Sequence, residues 1–294
     1  MGNKHKVIAD PEYGYLRVDP IPSAQEVEKF YVEKFYSSEY KHFNDSSITV
    51  QKQQKDFFER RWKFIYDNLM NYFKDVGNVS IFDIGFGFAQ ALLYFRDKGM
   101  CVSGLEPSPE GVDYAKSKGL DVYRSNIEDF TYKGQKRFDV VLLLNVLEHV
   151  RRPFKILQDI KKFLLKPGGL LVIDVPNDFN DFQDIADREF NLDKWWVCPP
   201  SHINYFSATS LKNMLIKCGY DIFSCEASFP MEIFMLLGDI YAGNTELGMK
   251  CHQKRVKFEQ LMDKYAKSDK LSKLYKALAE LDLGRQVAVY AKSK

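Results

Sequence analysis

The spacing of apolar residues changes character near Val79: before it they recur at helical intervals, and after it they come in short runs separated by helical stretches. The leader DPEYGYLRVDPIP, Asp10 to Pro22, is rich in prolines and turn formers and predicts an irregular or short-strand segment. A helix follows at Ser23, which stands at capping-box spacing ahead of Glu26 and sets Val27, Phe30, Tyr31 and Phe35 on one face. Beyond the polar stretch Lys41 to Asn44, a second helix over about 51–73 lines up Phe58, Trp62, Ile65, Leu69 and Phe73. The two helices predict a lid over what comes next.

From Val79 onward, VSIFDIG, CVSGLEP, DVYRSN, FDVVLLLN, LLVIDVP, YDIFSCE and QVAVYAK read as strands alternating with helices, which argues for a doubly wound α/β sheet, mostly parallel. Ser108-Pro109-Glu110 supplies an N-cap, a first-turn proline and an acid matched to the helix dipole, and Gly119 a stop. Lys166-Pro167-Gly168-Gly169 predicts a turn that ends a helix before the fifth strand. The expected division is a leader and helical lid over 1–75, a core over 76–226 and 285–294, and a helical insertion over 227–284.

Composition narrows the class. A net charge of +2 with 45% hydrophobic residues describes a globular chain with no bias towards nucleic acid. The five cysteines (Cys101, Cys198, Cys218, Cys225, Cys251) are widely spaced without a CxxC pair, which favours neither disulfides nor zinc. Neither the N-terminus MGNKHKVIAD nor the apolar run Met231 to Leu237 has the length of a signal core or membrane span, so a cytoplasmic location is expected.

The chemistry is carried by the ends of the strands. The first closes in Asp83-Ile84-Gly85-Phe86-Gly87-Phe88-Ala89 and runs straight into a helix, letting the backbone approach a ligand. The second closes in Glu106, about 20 residues on, where a carboxylate can accept from both hydroxyls of a ribose. An adenosine-type cofactor follows, whether dinucleotide or S-adenosylmethionine.

The order that continues through Asn126-Ile127-Glu128, Asn145-Val146-Leu147-Glu148-His149 and Leu165-Lys-Pro-Gly-Gly169 resembles the class I S-adenosylmethionine-dependent methyltransferases. Within them it is similar to the group that includes ubiquinone-biosynthesis O-methyltransferases and methyltransferases of cell-surface sugars. The resemblance covers about 79–220 and 286–291. It implies a Rossmann-like seven-stranded sheet with an antiparallel last strand, S-adenosyl-L-methionine as cofactor and S-adenosyl-L-homocysteine as product. Gly85 and Gly87 would lie against the amino-acid part of the cofactor, Asp83 would orient that end, and Glu106 would hold the ribose. Pro107 and Ile127 would flank the adenine, Asn126 would stand near its amine, and Asn145 would complete the cofactor set. Two positions depart from the pattern: Ala89 replaces a small glycine, and Asn126 often an aspartate.

Loops leaving the carboxyl ends of the strands decide the acceptor. They hold Asn145, Glu148 and His149, then Trp195, Trp196, His202, Asn204 and Tyr205, then the insertion. His149 and His202 are the candidate bases, because imidazole titrates near neutrality, with structural histidines tying loop backbone as the alternative; in the resemblance the His and the aromatic of His202-Ile-Asn-Tyr-Phe206 commonly face the acceptor, adding Tyr205, which reads equally as a core residue. Trp195-Trp196 reads as an aromatic wall or as a loop anchor. Some relatives hold a divalent metal on Glu-x-x-Glu-His; here the first acid is Asn145, and no metal is expected.

The expected function is methyl transfer to a small-molecule acceptor, with a sugar or nucleotide-linked sugar as the first candidate and a quinone-type phenol as the alternative. A non-catalytic S-adenosylmethionine-binding protein is a further reading. A nicotinamide oxidoreductase would use the same glycine turn, but no Tyr-x-x-x-Lys pair follows the fourth or fifth strand. No nucleic-acid partner and no membrane span are expected, and a homodimer is compatible with the insertion.

Overall fold

The structure, a computed structural model, describes residues 5–30, 55–131, 136–267 and 269–294. Its leader is more ordered than its proline content suggests. Strands β1 (Lys6–Ala9) and β2 (Leu16–Asp19) pair antiparallel, and β2 pairs on its other side with the two-residue strand β8 (Asn204–Tyr205). Val18, Trp196, Ile203 and Tyr205 form a small core beside this sheet. The leader is thereby fixed to the loop that carries His202.

Helix α1 (Ala24–Phe30) opens with the expected capping box: Glu26 N–H donates to Ser23 Oγ at 3.2 Å and Ser23 N–H to Glu26 Oε2 at 2.9 Å. Tyr31, Phe35 and the polar stretch 41–44 lie outside the described residues. Helix α2 (Lys55–Phe73) buries Phe58, Trp62, Ile65 and Leu69 against the sheet. Each such side chain contributes about 1.5–3 kcal/mol on leaving water, so α2 is a packed layer of the fold rather than a detachable cover.

All seven predicted strands exist: β3 (Ser80–Ile84), β4 (Cys101–Glu106), β5 (Asp121–Arg124), β6 (Phe138–Leu144), β7 (Leu165–Pro176), β9 (Tyr220–Ala227) and β10 (Gln286–Ser293). Their order is β5-β4-β3-β6-β7-β10-β9, with β10 antiparallel to both β7 and β9. Alternation sorts the core. Val141, Leu143, Leu171 and Ile173 face helix α5 (Pro153–Asp159), while Val140, Leu142, Leu170 and Val172 face α2. The Lys166–Gly169 turn lies inside the span of β7: Leu165 pairs with Phe138, the register shifts, and pairing resumes at Leu170. A π turn over Ile160–Leu164 delivers the chain directly to that first pair.

The helices joining the strands are α3 (Gln90–Asp97), α4 (Pro109–Ser117), α6 (Asp181–Phe190) and α7 (Ala208–Lys217). The stretch before β10 folds as α8 (Glu232–Leu236), α9 (Thr245–Tyr265) and α10 (Lys270–Glu280); α8 packs on α6, and α10 on β9. Among the described residues, no helix is long and apolar enough to cross a membrane.

Candidate active site

The order β5-β4-β3-β6 brings Asn126, Glu106, Asp83 and Asn145 to one edge of the sheet, the edge where strands of such a fold present their carboxyl ends to a ligand. Gly85 leaves β3 at φ +75°, and a Cβ there would stand 2.6 Å from Val146 Cγ2, so only glycine fits. Gly111 in the first turn of α4 is just as confined, since its Cβ would meet the Gly87 carbonyl at 2.4 Å. Ala89 stands in the left-handed region at φ 55°, with its methyl fully buried. It keeps the turn a glycine would make, at some backbone strain.

Glu106 is 4% exposed. Its Oε2 accepts from Gly87 N–H at 2.9 Å and its Oε1 from Ser108 N–H at 2.8 Å. A carboxylate oxygen can accept more than one hydrogen bond, which suits this side chain to a ligand hydroxyl. Ser108 also caps α4 by accepting from Gly111 N–H at 3.3 Å, as its position in the sequence predicts. Pro107 is exposed beside Glu106, and Ile127 is buried. Asn126 is exposed, and its Oδ1 accepts from Glu128 N–H at 2.9 Å, so its carbonyl is partly committed before any adenine arrives.

Asp83 is 2% exposed, and its Oδ1 has no hydrogen-bond partner. Burial, with the Glu106 carboxylate adding to it, pushes this carboxyl well above its ordinary range, against the pull of the Arg61 guanidinium. These features fit an S-adenosylmethionine-type ligand: an anchored acid for the ribose, a turn with glycine at positions 85 and 87 for the backbone's approach, and an orphaned buried acid for an amino group.

Arg61, from α2, was not singled out in the sequence. Its Nε donates to Asp174 Oδ2 at 2.6 Å and its Nη2 to Asn145 Oδ1 at 2.9 Å. Asn145, at φ 57°, also accepts from Gln286 Nε2 at 3.3 Å. A guanidinium thus stands at the catalytic edge, 113 residues along the chain from the acid it pairs with.

His149 and His202 lie side by side, ring centroids 4.9 Å apart and nearly perpendicular. His149 Nδ1 is 2.7 Å from the Ser201 carbonyl, which can only accept, so Nδ1 carries the proton and Nε2 is the unprotonated nitrogen. Burial pushes His149 down to about 4 and His202 down to about 3, leaving both neutral at physiological pH. Glu148, 2% exposed, is driven up to about 8 by the same loss of solvent. Among the described residues, Glu148, His149 and His202 are the set that could hold a metal ion, one donor atom from each lying within 4.8 Å of the others.

The turn bearing these groups is stapled from the facing loop. Asn204 Nδ2 donates to the carbonyls of Leu147 at 3.0 Å and Val150 at 2.7 Å, and Ile203 N–H donates to the Glu148 carbonyl. Tyr205 points inward: it is 2% exposed and its hydroxyl donates to the His202 carbonyl at 3.0 Å. Strand pairing with β2 turns the Tyr205 ring into the small leader core, the position that the sequence left open beside one facing the acceptor. Trp196 sits in that core with Trp195 edge-on at 4.6 Å, which is the anchor arrangement.

A reversed β10 held between β7 and β9, on a sheet with its glycine turn at β3, is the class I methyltransferase arrangement. The chain has the core of an S-adenosylmethionine-dependent methyltransferase. A family model described as "Methyltransferase domain" matches residues 49–224, more than half of the chain, and the protein belongs to that family.

Relatives include a ubiquinone biosynthesis O-methyltransferase of Rickettsia canadensis, 25% identical over 172 residues, 55% of this chain and 71% of that one. Another of that name, from Caulobacter vibrioides, is 30% identical over 130 residues, 42% of this chain and 51% of the relative. The chain therefore spans about half the length of the second. Among solved structures, a SAM-dependent methyltransferase from Archaeoglobus fulgidus superposes with a TM-score of 0.54 at 19% identity, covering 86% of this chain and 99% of that one. The 1,6-didemethyltoxoflavin-N1-methyltransferase of Burkholderia thailandensis gives 0.54 at 14% identity, covering 99% and 100%.

Proposed function

We propose that this protein transfers a methyl group from S-adenosylmethionine to a small polar acceptor, with a sugar or nucleotide-linked sugar as the acceptor class. The observation that carries the reading is Glu106, fixed between the Gly87 and Ser108 amides at the end of β4, where a carboxylate can hold a vicinal diol. The polar residues of the acceptor edge support a hydroxylated molecule over an apolar ring. Phenol O-methylation is the second reading, favoured by the names of the relatives.

When bound, S-adenosylmethionine supplies a methyl group on an already activated leaving group. The protein's own task is then to hold the acceptor in line and keep water out. Gly85, Gly87 and Asp83 take the amino-acid end, with Arg61 close by for its carboxylate; Glu106 takes the ribose; Pro107, Ile127 and Asn126 border the base; and Asn145 closes the edge. His149 and His202 are the candidate proton acceptors for an acceptor hydroxyl. No metal takes part in this reading.

Calorimetric titration with S-adenosylmethionine, S-adenosylhomocysteine and NAD tests it. Micromolar or tighter binding of the first two and none of NAD is expected; binding of NAD alone refutes the reading.

A further inference from the structure

A cleft of about 360 Å³ opens at the opposite edge of the sheet, where β6 and β7 begin and β10 ends. Its walls include Arg137 ahead of β6, Gln158 of α5, Lys161 and Lys162 of the π turn, and Lys294 after β10. Arg137 precedes the seven residues of β6 and Asn145 follows them, so at about 3.3 Å per residue the cleft lies on the order of 25 Å from the methyl-transfer edge. The lining carries four cationic side chains and no acidic one.

Two of these cations are fixed by backbone. Arg137 Nη1 donates to the Leu165 carbonyl at 3.0 Å and its Nη2 to the Lys162 carbonyl at 2.6 Å. Lys161 Nζ donates to the Gly219 carbonyl at 2.5 Å and to that of Cys218 at 3.4 Å. Gly219 makes room for this ammonium: its φ is +82°, and a Cβ there would stand 2.5 Å from Lys161 Nζ. Carbonyl dipoles orient the two heads without cancelling their charge. A guanidinium has five N–H donors and an ammonium three, so both keep donors beyond these bonds. Lys162 stands over the Phe163 ring, 4.9 Å from its centre. Among the described residues no carboxylate pairs with Arg137, Lys161 or Lys162, whereas Lys294 is held by Asp221 at 2.9 Å.

We infer that this cleft is a second ligand site, which takes the phosphate group of a small soluble molecule through Arg137, Lys161 and Lys162. The site stands apart from the methyl-transfer reading and does not depend on it. A phosphate brings up to two charges and at least three acceptor oxygens, enough to meet donors from both walls, and its oxygen pairs match the guanidinium fork. A carboxylate brings one charge and two oxygens. The volume falls within the roughly 300–1,000 Å³ of small-molecule sites, and π windings are rare and frequent at functional positions. A ligand held there joins the start of β6 to the turn that leads into β7, so it stabilises the folded chain by linkage.

The test titrates the full chain calorimetrically with inorganic pyrophosphate at about 0.05 M salt, where exposed charges are weakly screened. The parent is expected to bind with a Kd below about 1 mM and to gain thermal stability as pyrophosphate is added. Lys162→Gln and Arg137→Gln should each weaken binding at least about tenfold and lose that gain. Lys162 has no backbone acceptor among its contacts, so its replacement leaves the fold intact, which circular dichroism checks. Lys250→Gln, on the exposed face of α9, should bind as the parent does. Absence of binding by the parent up to about 10 mM overturns the inference. So does unchanged affinity in Lys162→Gln, or an equal loss in Lys250→Gln, which would reduce the effect to general basicity. Co-sedimentation with phosphatidic acid vesicles that Lys162→Gln abolishes would assign the phosphate to a lipid and overturn the soluble ligand.

Discussion

Replacing Glu106 by alanine separates two roles that the structure combines in one side chain. The carboxylate closes the glycine turn by accepting from Gly87 N–H and Ser108 N–H at 2.9 and 2.8 Å, and it is the proposed holder of the ribose. Without it, two backbone donors lose their acceptor, at about 1–3 kcal/mol for each that stays dry, so a stability loss of about 2–6 kcal/mol is expected. Two hydroxyl bonds to a charged acceptor are lost on the ligand side, worth about 3–6 kcal/mol together, or about 10²- to 10⁴-fold in Kd. Glu106→Gln keeps one carbonyl oxygen for one of the two amides and should fall between parent and alanine on both counts. Urea unfolding reads the first effect, and calorimetry with S-adenosylhomocysteine on protein shown to be folded reads the second. A folded Glu106→Ala protein that binds S-adenosylhomocysteine with unchanged Kd would refute the ribose assignment, and an undiminished stability would refute the account of the turn.

Other expectations follow from the same geometry. Burial raises Glu148 to about 8, above its value of about 4.3 in the unfolded chain, so the folded state holds the proton longer and stability falls as pH rises between those values. From about pH 6 to pH 8 the parent should therefore lose on the order of 2 kcal/mol relative to Glu148→Gln, read by urea unfolding at both pH values; parallel curves would show that the carboxyl is not held protonated. Tyr205→Phe should lower S-adenosylhomocysteine release by much less than the roughly 10²–10⁴-fold of a lost acid or base, because its hydroxyl is spent on the His202 carbonyl; a loss of that size would return Tyr205 to the chemistry. Asn204→Ala leaves two carbonyls of the turn without their donor and should cost about 1–3 kcal/mol by thermal unfolding, with cofactor affinity retained in calorimetry. Leu69→Ala, at a site with no exposure, should cost about 2–5 kcal/mol; a loss well below 1 kcal/mol would show that α2 is a loose cover after all.

Much of this was legible along the chain. Strands buried on both faces need continuous apolar runs, and FDVVLLLN or LLVIDVP could be little else between turn formers. The glycine turn, Glu106 and the Ser108 cap are local features whose partners stand within about 20 residues, the separation that motif spacing encodes. Arg61 with Asp174, or Arg285 with Asp178 and Glu232, are pairings across the fold that no periodicity records. The leader sheet was hard to see for another reason: β1 and β2 have four residues each and β8 two, too few to show alternation. Tyr205 shows the remaining limit, since its position in the sequence puts it at the catalytic edge but says nothing of which way the ring turns.

The place of β10 has a bearing on how the protein is made. Residues 286–293 follow both neighbours in the chain yet form the interior strand between β7 and β9. During synthesis β7 and β9 must wait, each with an unsatisfied flank open to a stray chain, until that segment has left the ribosome. Nascent protein stalled before this point is the species most exposed to aggregation and most in want of a chaperone.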